Sequence, residues 1–164
     1  MSQSPIVLAI TGASGLVYGQ RLLQVLLESQ VAVHLTISES ARVVAKHELN
    51  LELDLQHFEL GQLVPDCAKD GSLTYHHYKD FMTPIASGSF KTRGMIVCPC
   101  SGGTMSGIAT AASRNLIQRA ADVHLKENRP LVLVPREAPL SLIQIDNMRT
   151  ACAAGATILP ASPG

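Results

Sequence analysis

Small polar and glycine-rich segments follow four apolar runs of the sequence, and their residue types suit the binding of an anion. In chain order these segments are Thr11–Gly15, Ser38, Ser101–Thr104 and Arg136–Glu137. Backbone N–H groups of small residues at the start of a helix bind phosphate, because the helix dipole favours negative charge there. An arginine adds a bidentate phosphate ligand. The pattern therefore predicts a ligand that carries phosphate.

The first segment, Thr11–Gly15, joins a predicted strand to a predicted helix. Gly12 and Ala13 allow the backbone to approach an anion closely, and Ser14 adds a hydroxyl. No Gly-Lys-Ser/Thr follows, and the spacing is not G-x-G-x-x-G, so the segment is neither a P-loop nor a dinucleotide-binding fingerprint. The alternative interpretation is a tight turn without a ligand.

The third segment, Ser101–Thr104, repeats this chemistry with Gly102 and Gly103. Two such segments at neighbouring strand ends favour a phosphorylated ligand. The alternative is that the glycines only allow a helix to pack closely against the sheet.

Further side chains that could bind phosphate or move a proton lie outside these segments. The turn Ala86–Phe90 offers hydroxyls from Ser87 and Ser89, and is otherwise a flexible loop. Glu48, near the end of a predicted helix, is interpreted on sequence alone as a surface acid. The charged candidates are Arg119, Lys126, Arg129, Arg136 and Glu137. Arginine and lysine bind phosphate, and a nearby carboxylate can transfer protons.

Apolar runs alternate with helical spacing along the chain, which predicts an α/β fold with a parallel sheet. Strands are expected at Pro5–Ile10, Val31–Ile37, Gly94–Cys98, Pro130–Val134 and Ala156–Leu159. Helices are expected over Tyr18–Ser29 and Pro139–Ala154. A further helix is expected to begin at a cap formed by Ser38 or Ser40 and to run through Lys46. Helical stretches are also expected between the third strand and Asn128. Residues 49–80 show no clear pattern. Ligands of such sheets bind beyond the carboxyl ends of the strands, where the four segments fall.

Composition indicates one domain and argues against several classes of partner. The 13 basic and 13 acidic residues cancel, and a chain without Trp is poorly equipped to stack bases, so no nucleic-acid partner is expected. The uncharged stretch Gly94–Ser113 contains Pro99 and several glycines, so no membrane span is expected. The N-terminus lacks a basic signal region, which favours a cytoplasmic protein. The spacing of Cys98 and Cys100 does not fit zinc, and no metal site is expected.

Several motifs together resemble the UbiX-type flavin prenyltransferase family over essentially the whole chain, weakly between residues 49 and 80. They are TGASGxxYG at 11–19, ASGS at 86–89, CPCS with a threonine at 98–104, RAADV at 119–123, LKE at 125–127, RPLVL at 129–133 and PREAP at 135–139. Each motif is ordinary alone, but their order and spacing are specific. The resemblance implies a flavodoxin-like or Rossmann-like three-layer fold around a central parallel sheet.

The resemblance also implies a reaction. Members of this family join the dimethylallyl group of dimethylallyl phosphate to N5 and C6 of reduced FMN without a metal, and the prenylated FMN serves a UbiD-type decarboxylase. They form homo-oligomers, up to a dodecamer. Monophosphate and pyrophosphate donors both stay open. Two other functions also stay open: an FMN-dependent cysteine decarboxylase, whose Asn-Met-Trp-type signature is not found, and a non-catalytic FMN carrier.

Residue by residue, the resemblance assigns the flavin site to Gly12, Ala13, Ser14, Ser38, Ser101, Gly102, Gly103, Thr104 and Arg136. The positions near the prenyl phosphate are Ser87, Ser89, Arg119 and Lys126. Catalytic roles are implied for Ser14, Glu48, Lys126 and Glu137, with Glu48 able to come from a neighbouring subunit. Phe81 is a candidate for an apolar wall.

One departure from the family concerns the C-terminus. The family continues past the segment that ends here at Pro163–Gly164 and supplies a Tyr and a basic residue to the prenyl phosphate. The expectation is therefore a single FMN-binding domain over residues 1–164 that lacks this C-terminal segment. FMN binding is expected to survive this loss better than prenyl transfer.

Overall fold

Parallel strands form one sheet in this computed structural model, which describes residues 4–65 and 72–162. In chain order the strands are β1 Ile6–Ile10, β2 Val33–Ile37, β3 Leu73–Tyr75, β4 Gly94–Cys100, β5 Leu131–Pro135 and β6 Thr157–Ile158. They lie in the order β3-β2-β1-β4-β5-β6, and each neighbouring pair is parallel. The chain winds outwards from β1 to one edge and then from β4 to the other. The boundary between β1 and β4 is therefore the switch point at which such sheets bind ligands.

Helices cover both faces of the sheet. They are α1 Leu16–Glu28, α2 Glu39–Leu49, α3 Leu60–Leu63, α4 Gly102–Ala109, α5 Leu116–Lys126 and α6 Leu142–Ala153, with a 3-10 turn at Pro84–Ala86. Side chains of β1 alternate between two cores: Val7 and Ala9 pack with residues of α5 and α6, whereas Leu8 and Ile10 pack with residues of α1 and α2. The predicted three-layer, flavodoxin-like α/β fold is confirmed. None of the helices in the described part of the chain is long and apolar enough to cross a membrane.

The five predicted strands are confirmed, with ends displaced by one or two residues. Strand β3 and the short helix α3 were not predicted. Both fall in the stretch 49–80, where β3 has only three residues and lies at the edge of the sheet. Cys67 and the segment Pro163–Gly164 lie outside the described residues.

Helix α5 runs from the carboxyl edge of the sheet to its amino edge. At its start, the backbone N–H of Leu116 donates to the carbonyl of Tyr78, just beyond β3. At its end, Lys126 is followed within five residues by β5, and the carbonyl of Pro130 accepts from Met95 N at the start of β4. The two ends of α5 therefore lie at opposite edges of the sheet.

Candidate active site

The loops after β1 and β4 are tied together at the carboxyl edge of the sheet. The buried hydroxyl of Thr11 donates to the carbonyl of Pro99 at 2.8 Å and accepts from Ser101 N at 2.8 Å. The loop after β2 joins them, because Ser38 N donates to the carbonyl of Ile10 at 3.0 Å. We call the loops at 11–15, 38–40, 101–104 and 136–137 the carboxyl-edge site. The sequence-based expectation that these segments share one edge is confirmed.

Small residues let the first two loops of this site pack closely. Gly12 lies directly against Ser40, and a Cβ at residue 12 would collide with that side chain. Ser38 caps α2, as predicted, by accepting a hydrogen bond from Ala41 N at 3.1 Å. Its hydroxyl lies 3.0 Å from that of Ser40. Two hydroxyls and a glycine backbone therefore lie side by side next to β1.

The start of α4 presents exposed backbone to the same edge. Ser101 Oγ accepts from Thr104 N at 3.3 Å and caps the helix. Gly102 and Gly103 are exposed. A Cβ at residue 103 would meet nothing within 4 Å, and one at residue 102 would meet only the Gln144 amide nitrogen at 3.7 Å. This open helix N-terminus can accept the phosphate group of a ligand.

Glu48 binds the start of α1 within its own chain. Its carboxylate accepts from Ser14 Oγ at 2.7 Å, from Gly15 N at 3.0 Å and from Leu16 N at 3.1 Å. Gly15 makes this possible with a left-handed backbone (φ 89°), which a residue with a side chain rarely adopts. Glu48 is exposed, as the sequence predicts for a surface acid, but it is engaged with the first loop of the carboxyl-edge site. The resemblance allowed a neighbouring subunit to supply it, and here its own chain brings it to Ser14.

The contacts of Glu48 keep its carboxylate ionised. Loss of hydration alone would raise its pKa, but hydrogen bonds from Ser14, Leu16 and Gly15, with the charge of Arg136, lower the pKa below its ordinary value. A carboxylate held in this way is a weak base. It instead orients the Ser14 hydroxyl, whose proton it accepts in a hydrogen bond, and leaves the oxygen lone pairs of Ser14 available to a ligand.

Arg136 and Glu137 complete this edge after β5. The aliphatic part of the half-buried Arg136 lies next to Gly15. Glu137 is exposed and borders a small hollow with Gly102 and Gln144. Gln144 was not recognised from the sequence, because its role as the capping-box partner of Ser141 at the start of α6 depends on where that helix begins.

The turn expected at 86–90 is held by a buried arginine rather than being free. We call residues 87–90 the serine loop. Arg129, whose side chain is only 10% exposed, donates to the carbonyls of Gly88 and Phe90 at 2.5 and 2.7 Å. The hydroxyls of Ser87 and Ser89 lie 2.9 Å apart at the surface. Two hydroxyls are thus presented side by side on a fixed backbone.

Two cations of α5 lie next to the serine loop. Arg119 donates to the carbonyl of Ala86 at 3.1 Å and pairs with Asp122 at 3.0 Å. Lys126 lies two helical turns further on, on the same face, and its Nζ is 2.5 Å from a carboxylate oxygen of Glu127. The four residues implied near the prenyl phosphate are therefore brought together: Ser87, Ser89, Arg119 and Lys126. Glu127 was not singled out from the sequence, since neighbours in a helix do not face each other, and it can reach Lys126 only because α5 ends there.

The serine loop and the carboxyl-edge site lie at different places in one chain. Lys126 marks the amino end of the sheet, where α5 stops and β5 begins, whereas Ser14 and Gly103 lie beyond the carboxyl ends of β1 and β4. Within a single subunit, the residues that the resemblance assigns to the flavin and those it assigns to the prenyl phosphate therefore lie apart. The sequence could not reveal this, because it depends on the direction in which α5 crosses the sheet.

Neither the other large groove nor a cluster of metal-ligating side chains offers a second site in the described part of the chain. An open groove of about 790 Å³ runs along α2 and the segment 51–56. Its prominent charges are already paired, as in Arg42 with Glu39 and Lys46 with Glu52. Over residues 4–65 and 72–162, no group of three or more His, Cys, Asp or Glu side chains could hold a metal ion.

The fold and the carboxyl-edge site define a flavin-binding α/β protein, and the model of the flavoprotein family matches residues 1–161. Flavin prenyltransferase UbiX of Halalkalibacterium halodurans is 49% identical over 94% of this chain and 74% of its own length. A crystal structure of AnUbiX (PadA1) in complex with FMN and dimethylallyl pyrophosphate is 39% identical, covers 99% of this chain and 80% of that one, and has a TM-score of 0.86. A dodecameric FMN-dependent UbiX-like decarboxylase from Escherichia coli O157:H7 is 38% identical, covers 98% and 81%, and has a TM-score of 0.84. The chain belongs to the UbiX flavin prenyltransferase family.

Proposed function

We propose that this protein transfers the dimethylallyl group of dimethylallyl phosphate to N5 and C6 of reduced FMN. The prenylated FMN would then serve a decarboxylase of the UbiD type. The observation that carries the proposal is the similarity to flavin prenyltransferase UbiX along 94% of the chain, which includes every loop of the carboxyl-edge site. The chain forms one FMN-binding domain in this proposal. It functions in the cytoplasm, consistent with the free thiols of Cys98, Cys100 and Cys152.

FMN binds at the carboxyl-edge site in this proposal. The exposed backbone of Gly102 and Gly103 and the hydroxyl of Ser38 supply donors, Ser101 caps the helix that presents this backbone, and Arg136 adds a positive charge. The open space beside Gly103 supports this assignment, because a ligand can reach the helix N-terminus without displacing a side chain. Gly12, Ala13, Ser14 and Thr104 line the same edge. When bound, reduced FMN supplies the nucleophilic ring atoms that take the prenyl group.

Ser14 and Glu48 act as a pair at this edge. The hydrogen bond of 2.7 Å from Ser14 to Glu48 directs the serine lone pairs away from the carboxylate and towards the ligand space. The other carboxylate at this edge, that of Glu137, is a candidate proton acceptor. In the part of the chain that the structure describes, its carboxylate has no hydrogen-bond or ion-pair partner, and it borders the hollow beside Gly102.

The donor phosphate binds at the serine loop. Breaking the allylic C–O bond leaves negative charge on the phosphate, and the charges of Lys126 and Arg119 with the hydroxyls of Ser87 and Ser89 stabilise it. Phe81, which is 44% exposed before this loop, offers apolar cover for the prenyl group. Because the serine loop and the carboxyl-edge site lie at opposite edges of one subunit, the two half-sites must come from different subunits. The dodecameric assembly of the E. coli relative makes such an arrangement available.

Separation of function tests this proposal. Lys126→Ala removes a charge from the donor half-site, so it should abolish most prenyl transfer while FMN affinity stays within about twofold. Gly103→Ala adds a methyl group where the fold has open space, so it should leave stability intact and weaken FMN binding. FMN affinity is measured by fluorescence titration and transfer by anaerobic turnover. Oligomers reassembled from a mixture of the two variants should recover transfer.

Four outcomes count against the proposal. If Lys126→Ala lost FMN affinity and prenyl transfer equally, Lys126 would have no separate role in binding the donor phosphate. If Gly103→Ala bound FMN as tightly as the parent protein, the flavin would have to bind elsewhere. FMN that is bound but returned unmodified with abundant donor would favour a carrier, and oxidative decarboxylation of a cysteinyl peptide would favour a cysteine decarboxylase.

A further inference from the structure

The carboxylate of Glu127 forms an ion pair with Lys126, the lysine that is proposed to bind the donor phosphate at the serine loop. One of its oxygens lies 2.5 Å from Lys126 Nζ, and the other lies 4.0 Å from the guanidinium of Arg129. A Cβ at Gly88 would collide with the Glu127 carboxylate and would lie 2.9 Å from Lys126 Nζ, so both side chains rest on the serine loop itself. Glu127 thus places a negative charge beside the loop that is proposed to bind a phosphate.

The surroundings keep Glu127 charged. The hydrogen bond from Lys126 and the charge of that lysine lower the pKa of Glu127, with smaller contributions from Arg129 and Lys91. The carboxylate is an acceptor with no proton to donate, so it satisfies Lys126 as a phosphate oxygen would and can only repel a phosphate placed next to it. Arg129 cannot follow a ligand, because its guanidinium is committed to the carbonyls of Gly88 and Phe90.

We propose that Glu127 is a positioning residue that competes with phosphate for Lys126. Without donor it holds the lysine against Gly88. When the donor binds, Lys126 turns to the phosphate and Glu127 keeps the weaker contact with Arg129, 4.0 Å away. After transfer, Glu127 reclaims the lysine and promotes release of inorganic phosphate. This inference rests on the proposed role of Lys126 in the donor half-site.

Glu127→Gln tests the competition directly, because it removes the charge and nearly keeps the shape. The matched control is Glu52→Gln, since Glu52 pairs with Lys46 at 2.6 Å but lies on the groove beside α2, away from the serine loop. Inorganic phosphate is the probe, with its affinity for the FMN-bound protein measured by calorimetry and its inhibition constant measured in prenyl transfer. Glu127→Gln should bind phosphate about two- to fivefold more tightly, as expected for a partly exposed ion pair. The KM for dimethylallyl phosphate should fall by a similar factor, with kcat no higher, and Glu52→Gln should match the parent protein.

Phosphate affinity that is unchanged or weaker in a folded Glu127→Gln would overturn the inference, and so would an equal gain in Glu52→Gln. If Glu127→Gln is unstable, Glu127→Asp retains the charge on a shorter side chain and should show a smaller gain in phosphate affinity; no gain there refutes the competition. Failure of the proposed function would look different. The parent protein would then not transfer a prenyl group, and Lys126→Ala would bind phosphate as tightly as the parent protein does. If the parent protein transfers the prenyl group but Glu127→Gln shows unchanged phosphate affinity, only the role of Glu127 is refuted.

Discussion

Replacing Glu48 removes the carboxylate that caps α1 and orients Ser14. The N–H groups of Gly15 and Leu16 lose their acceptor, and the Ser14 hydroxyl loses its partner. In Glu48→Gln the side-chain oxygen can still accept one of these bonds, but the negative charge at the positive end of α1 is gone. In Glu48→Ala all three bonds are lost.

The size of the loss follows from capping energetics and exposure. Loss of a helix cap costs about 0.5–2 kcal/mol, and the charge at the helix N-terminus adds about 0.3–1 kcal/mol. Because Glu48 is exposed, water replaces part of each bond, and the lower halves of these ranges apply. We expect Glu48→Ala to lower the free energy of unfolding by about 1–2 kcal/mol and Glu48→Gln by about 0.5–1 kcal/mol. For a chain of this length, each kcal/mol lowers Tm by about 2–4 °C.

Urea unfolding at neutral pH and in acid provides the assay. The pKa of Glu48 is lowered in the folded protein, so its contribution is present above the ordinary carboxyl pKa and is lost as pH falls through the lowered value. The difference between the parent protein and Glu48→Gln should therefore shrink as the pH falls below the ordinary carboxyl pKa. Glu28→Gln is the matched control, because Glu28 ends the same helix at its negative end and should be neutral or slightly stabilising. A pH-independent difference, or equal destabilisation by Glu28→Gln, would refute the capping role.

Two other properties of the chain can be checked by unfolding. Helix propensity alone predicts that Gly19→Ala in α1 gains about 1 kcal/mol, but its Cβ would collide with a carbonyl oxygen of β4, so we expect a net loss of about 1–3 kcal/mol by thermal unfolding. Gly61→Ala in α3 meets nothing within 4 Å and should not destabilise; a loss there equal to that at Gly19 would contradict the packing argument. His76 is 8% exposed and its ring nitrogen lies 2.8 Å from that of His34. Burial, then the nearby His34, lowers the pKa of His76 to about 4, so stability should be full above about pH 6.5 and fall by about 2–3 kcal/mol towards pH 4. His76→Gln should flatten this profile in urea titrations, and an unchanged slope would mean that another group carries the acid sensitivity.

Much of the fold was predictable because its signals are local. Each predicted strand is a continuous apolar run, as buried parallel strands require. Ser38, a residue type that caps helices, predicted the start of α2. The exceptions are short or irregular. Strand β3 has three residues at the edge of the sheet, and β4 continues past Cys98 through Pro99, a residue that ordinarily ends a strand.

The candidate site was predictable in part. The loops of the carboxyl-edge site could be grouped because parallel strands end at one edge. The hydrogen bond between Ser14 and Glu48 joins residues 34 positions apart, and local sequence patterns do not predict such a contact. The position of Lys126 depends on the direction of α5, and its contact with Glu127 depends on where that helix stops. These features arise from the three-dimensional path of the chain.

The most direct test of the proposed activity is the mass of the flavin after anaerobic incubation of the protein with reduced FMN and dimethylallyl phosphate. The flavin is extracted and analysed by mass spectrometry, beside samples without protein and without donor. A flavin heavier by one five-carbon unit, formed only in the complete mixture, is the predicted result. A parallel incubation with a chain extended past residue 164 provides the comparison for turnover rate. Recovery of only unmodified FMN from both chains would contradict the assignment as a flavin prenyltransferase.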